Sequence, residues 1–152
     1  MRWERAPAVV TLLPPPIVRR TVVAKPALPM STHYEYHGDF VYRFEIARDE
    51  MGAVEWAGVD EHPPLPPRRA IALSRQAVLE QFGQYRPENL GFRACALQRT
   101  EDAARKYWYY AVTWFVPDAE GEGDPSSFTI PVSFNSVCPK PRISPRTEAE
   151  HA

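Results

Sequence analysis

From Tyr34 to Ile46 every even position is aromatic, glycine or branched aliphatic: Tyr34, Tyr36, Gly38, Phe40, Tyr42, Phe44, Ile46. The odd positions read His33, Glu35, His37, Asp39, Val41, Arg43, Glu45. Side chains alternate across a pleated sheet, so this period of two predicts one long strand with a buried aromatic face and a polar one. A polar turn, Arg48-Asp49-Glu50-Met51-Gly52, follows, and Ala53 to Val59, with Val54 and Trp56 on one side, is expected to return as its hairpin mate.

Beyond the stiff connector Pro63-Pro64-Leu65-Pro66-Pro67 the period changes. Ala70, Ile71, Ser74, Ala77, Val78 and Phe82 recur at spacings of three and four, which gathers them on one stripe and predicts a helix from about Pro67 to Phe82. Pro67 suits the first turn, where its missing donor is no loss, and Gly83 is the expected stop. No Ser, Thr, Asp or Asn stands at the N-cap. Three strands should follow: Gly91 to Arg99, Lys106 to Val116 and Ser127 to Phe134. The middle one is apolar on both faces, with Trp108, Tyr110, Val112, Trp114 and Val116 on one and Tyr107, Tyr109, Ala111, Thr113 and Phe115 on the other. That pattern belongs to a central strand facing the helix. Pro131 removes a ladder donor from the last strand and assigns it to a sheet edge. Between these two strands, Pro117 to Pro125 reads as a solvated acidic loop.

The order is β-β-α-β-β-β, an α+β fold with one helix on a curved antiparallel sheet of about five strands. Its core should hold Tyr42, Phe44, Trp56, Ile71, Val78, Phe82, Val112 and Trp114. A chain of 152 residues, 44% hydrophobic and 12% aromatic, has the size and the apolar content for one core. The 17 prolines gather at the two ends and in the middle. Three segments result: a Pro-rich N-terminal tail over 1–31, the domain over 32–138 and a Pro-rich, charged C-terminal tail over 139–152. Val9 to Leu13 and Ile17 to Val23 offer short β-branched runs within the first tail, and Met30 is a second candidate start.

A net charge of −1 generates no long-range field to gather phosphate or anionic lipid, so nucleic acid is not the expected partner. No run is long enough to cross a bilayer, and Pro14 to Pro16 interrupt the only apolar stretch near the N-terminus, so a cytoplasmic protein without a signal peptide is expected. Cys95 and Cys138 form neither a CxxC motif nor a disulfide framework, and two free thiols are the simplest reading.

Four candidate sites follow from side-chain chemistry. His33, Glu35 and His37 project from one face of a strand and carry donors that zinc or non-haem iron accepts. Two strand residues four apart nevertheless lie roughly 13 Å from each other, too far to share an ion without a kink at Gly38, so a solvated strand face is the plainer reading. Carboxylates at Asp49, Glu50, Asp60 and Glu61 sit at turns and, converging with His62, would be the raw material of a small enzyme site. No G-x-S-x-G elbow, Gly-rich phosphate loop or H-E-x-x-H motif supports one, and no cofactor is implied. Pro63 to Arg68 matches the Pro-x-x-Pro-x-Arg pattern read by SH3-type grooves, a pattern that a rigid helix entry also produces. Tyr107, Tyr109 and Phe115, on the second face of the central strand, are the candidate binding surface.

Pro64 to Pro139 resembles small bacterial proteins of the PepSY-like or cystatin-like kind. The resemblance rests on the Pro-containing helix entry (Leu65-Pro66-Pro67-Arg68-Arg69-Ala70-Ile71), the Trp108-Tyr109-Tyr110 strand and the Ile130-Pro131-Val132 strand. It implies a helix lying across a curved antiparallel sheet and a non-catalytic role in binding, inhibition or modulation of peptidases. The cystatin Gln-x-Val-x-Gly loop is missing. The expected function is therefore a non-catalytic binding or assembly module that uses a sheet face or edge, with the small enzyme and the metal protein as alternatives.

Overall fold

Two residues, Gly38 and Asp39, break the stretch that alternation predicts as one strand. In the computed structural model, which describes residues 31–47, 56, 58, 62–102 and 105–147, the chain reverses there, between β1 (Ser31–His37) and β2 (Phe40–Ile46). Gly38 has φ +55°, and a Cβ placed on it would stand 3.1 Å from the Ala119 Cβ, so both conformation and space call for glycine. The antiparallel register pairs His37 with Phe40, Glu35 with Tyr42 and His33 with Phe44. Cross-strand partners share a face, so the two-residue loop puts the odd positions of β1 on the same side as the even positions of β2. Tyr42, Phe44 and Ile46 go inward as predicted, and His33, Glu35 and His37 go inward with them. Tyr34 and Tyr36, placed by the alternation on the face expected to be buried, are 54% and 41% exposed.

The predicted helix is α1 (Pro67–Gln81), with Ala70, Ser74 and Val78 buried. Its N-cap, Pro66, makes no side-chain cap, and the amides of Arg69 and Ala70 donate to the Pro66 carbonyl at 2.9 and 3.2 Å. A short 3-10 turn over Pro87–Asn89 leads into β3 (Gly91–Asp102), β4 (Arg105–Val116) and β5 (Ser126–Ser133). β4 is central and β5, with Pro131, lies at an edge, both as expected. The helix packs on β4 and β5. There the Trp114 indole donates to Ser74 Oγ at 3.0 Å, and Ser74 donates to the Ile71 carbonyl at 2.9 Å.

The architecture is α+β, with one helix among the described residues and two antiparallel sheets of three strands, ordered β1-β2-β6 and β3-β4-β5. This corrects the expectation of one curved sheet of five strands. The sixth strand, β6 (Arg142–Pro145), comes from the segment read as a tail and pairs with β2 from Phe40 to Arg43. Of the expected hairpin mate Ala53 to Val59, only Trp56 and Gly58 are among the described residues, and neither is in a strand. Of the expected first tail, 1–31, residues 1–30 lie outside the described residues, and Ser31 opens β1. Phe128 joins the sheets: its ring meets Tyr42 at 5.1 Å, Phe44 at 5.9 Å and Phe82 at 4.9 Å between centroids, each steeply inclined. The expected core is borne out, with Trp56 and Ile71 half-buried at its border.

Candidate functional site

The turn at Gly38 settles where the histidine strip lies. Because the odd residues of β1 face inward, they close over the open edge of β5 and reach the side of β4 opposite the helix. The Glu35 carboxylate accepts hydrogen bonds from the amide and hydroxyl of Thr129, and the Thr129 hydroxyl lies 3.1 Å from that of Thr113. The carboxylate thereby caps an edge amide that β4 leaves unused. Burial raises the Glu35 pKa, and these hydrogen bonds oppose the shift. His33 stands edge-on to Tyr109 at 5.3 Å with Nε2 3.3 Å from Ser31 Oγ, and burial lowers its pKa.

His37 is 5% exposed, with Nδ1 3.2 Å from Ser126 Oγ and Nε2 3.2 Å from the Tyr85 hydroxyl. Tyr85 donates onward to the Pro117 carbonyl at 3.1 Å. Nε2 therefore carries the hydrogen that Tyr85 accepts, and Nδ1 accepts from Ser126. Burial lowers the His37 pKa, and the Asp118 carboxylate opposes the shift. Each of the three side chains of the strip has a protein hydrogen-bond partner, and among the described residues no three His, Cys, Asp or Glu side chains come together to hold a metal. The strip is a set of satisfied contacts between the sheets.

The other candidate residues separate as well. Tyr107 and Tyr109 are 8% and 5% exposed and cluster with Ile46, whereas Phe115 is 40% exposed. Of the three residues of the candidate surface, Phe115 is the one open to solvent. His62 is exposed in a loop, and Asp49, Glu50, Asp60 and Glu61 lie outside the described residues. Leu65, inside the Pro-x-x-Pro-x-Arg stretch, is buried, and its carbonyl accepts from the Tyr110 hydroxyl at 2.8 Å, so that segment is docked on the sheet.

What stands open is β3. Its 12 residues form the outer strand of their sheet among the described residues, and α1 packs over the other two strands. Phe92 and Leu97 face the helix side opposite Trp114 and Tyr110, yet remain 50% and 38% exposed. Ala94, Ala96 and Gln98 point the other way and are exposed too. A bulge between Phe92 and Ala94 turns Arg93 across the sheet, where its guanidinium lies 5.4 Å from the Phe115 ring centroid and donates to Ser127. Beside that ring, Glu88, Asn89, Leu90, Gly91, Phe115 and Pro125 surround a hollow of about 490 Å³. The edge therefore presents apolar footholds on both faces. Sequence reading missed Phe92 and Leu97, since the Phe-Arg-Ala-Cys-Ala-Leu run shows no clean alternation.

Compared with known proteins, the chain significantly matches no family model, no curated protein and no solved structure. Among the described residues no helix is long and apolar enough to cross a membrane.

Proposed function

We propose that the protein is a non-catalytic binding module that takes an extended polypeptide strand onto the free edge of β3. The observation that carries this reading is an outer strand exposed over most of residues 92–98, with Phe92 and Leu97 open on one face and, beside it on the other, Phe115 of β4. An exposed edge offers a row of unpaired backbone groups, and an added strand takes its affinity from them. Specificity then comes from alternate side chains, one set meeting Phe92 and Leu97 and the other entering the hollow beside Phe115. The same class of role is what the resemblance to PepSY-like and cystatin-like domains implies.

A library of displayed nonapeptides panned against the protein tests the reading. Enriched peptides should carry apolar residues at alternate positions, slow amide exchange in β3, and lose binding to a Phe92→Lys/Leu97→Lys variant that keeps its circular dichroism. Peptides that bind the double variant equally well, or that protect only other amides, would overturn it.

A further inference from the structure

On the far side of α1 from β3, the crossing from β5 to β6 leaves a cleft that the core does not fill. Its floor is apolar, made by Phe44 and Ile130 from the two sheets and Leu73 and Ala77 from the helix. Cys138, Pro139 and Pro141 form the wall, and Glu80 and Lys140 stand on the rim. The volume, about 400 Å³, falls near the lower end of the roughly 300–1,000 Å³ of small-molecule sites, which fits a compact metabolite and not a dinucleotide.

A second feature shows that this wall is held in place. Ser136, which also lines the cleft, is the single non-glycine among the described residues with positive φ, at 66°. Such backbone persists only where its surroundings impose it. Here the Ser133 amide donates to the Val137 carbonyl at 2.9 Å, the Ser136 amide to the Ser133 carbonyl at 3.0 Å, and the Val137 amide to Ser133 Oγ at 3.2 Å. Two prolines then fix φ along the same wall. A cleft built this way loses little entropy on binding.

We propose that this cleft binds a small zwitterion with an apolar side chain, a free hydrophobic amino acid or dipeptide. The chemistry of the lining selects that class. The floor receives the side chain, Glu80 accepts from the ammonium group, and Lys140 donates to the carboxylate. Gln76 donates to Glu80 Oε1 at 2.9 Å and holds the acid on the rim. The Cys138 thiol, raised to about 11 by burial and then by the Glu80 charge, stays protonated, so the site binds and does not attack its ligand.

Cys138 also supplies the reporter, with Cys95, on β3 and outside the cleft, as an internal control. The rate at which iodoacetamide labels each thiol is measured by mass spectrometry with leucine, phenylalanine, leucyl-leucine, N-acetyl-leucine amide or glutamate at millimolar concentration. The zwitterionic apolar compounds should slow labelling of Cys138 at least several-fold and leave Cys95 unchanged, while the capped amide and glutamate do neither. Glu80→Gln and Lys140→Gln, both on the exposed rim, should each weaken protection about tenfold, the scale of one lost charged hydrogen bond. Equal protection by the capped amide, protection that survives both substitutions, or no protection by any compound would overturn the assignment.

Discussion

At the scale of single residues, the decisive pairs are polar and internal. Ser74 is fully buried and uses its hydroxyl twice, accepting from Trp114 and donating to Ile71, so replacing it with alanine strands an indole N–H in the core. Ser74→Ala should cost about 1–3 kcal/mol, and Trp114→Ala about 3–5 kcal/mol for loss of a buried aromatic. Ser74→Ala combined with Trp114→Phe should cost less than the two single changes together, because the orphaned donor is then gone. Urea midpoints of the unmodified protein, Ser74→Ala, Trp114→Ala, Trp114→Phe and the double variant check all three statements. His37 makes a pH prediction of definite sign. Its pKa lies below the usual 6.5 in the folded protein, so the unfolded chain takes up the proton first on acidification. The stability tied to neutral His37 is whole above about pH 6.5 and falls as the pH drops from there toward the folded pKa. His33 acts in the same sense, whereas Glu35, raised by burial, contributes stability that is lost as pH rises through its folded pKa. His37→Gln should therefore flatten the loss of urea stability below pH 6.5, and an unchanged profile would assign that loss elsewhere.

At the scale of elements, two glycines separate what could be read from the chain from what could not. Gly83 follows the helix in sequence and looks like its cap, yet α1 ends at Gln81 with Phe82 as cap, whose amide donates to the Val78 carbonyl. Gly83 has no positive φ and open space where a Cβ would stand. Gly38 stands inside a flawless alternation and nonetheless makes the turn. Gly38→Ala should cost about 1 kcal/mol or more, since alanine resists that φ and would crowd Ala119. Gly83→Ala should be neutral or slightly stabilising, and thermal melts of the two variants compare them directly. The helix, β4 and β5 were legible because each carries its own pattern, whereas the bulge in β3 blurs its alternation and hid the facing of Phe92 and Leu97. The hairpin was not, since a two-residue loop preserves strict alternation on both sides while exchanging inward for outward on one. That exchange buried the histidine strip and released Tyr34 and Tyr36. Strand β6 was hidden among prolines for a related reason: its four residues are all exposed, so no apolar pattern marks them, and backbone pairing defines them. Deleting residues 142–152 removes that ladder and the Arg146 amide to Asp39 carbonyl bond of 2.7 Å. The deletion should cost about 2–4 kcal/mol, at roughly 1 kcal/mol per backbone hydrogen bond. Arg142→Ala alone should change little, because its 3.5 Å bridge to Glu45 starts from a side chain 76% exposed.

At the scale of the whole molecule, the two sheets share one interior and are not two units placed side by side. Tyr42 and Phe44 of the first sheet, Phe82 just beyond the helix, and Phe128 and Ile130 of the second sheet belong to one continuous buried cluster. The polar strip of β1 seals the seam between the sheets from the other side through Glu35 and Thr129. A domain bound in this way has no internal boundary at which it could come apart, so the hairpin and the helix-covered sheet should unfold together. Tryptophan fluorescence reports mainly on the second sheet and its surroundings, through Trp108 and Trp114, whereas the His33 and His37 ring resonances report on the first. Their urea transitions should coincide. Phe128→Ala, which cuts the aromatic contacts to both Tyr42 and Phe44, should lower stability by about 3–5 kcal/mol and still leave the two probes with one midpoint. If the histidine resonances were lost at a lower urea concentration than the tryptophan signal in the unmodified protein, the hairpin sheet would be a separately melting layer. The single-core account would then be wrong.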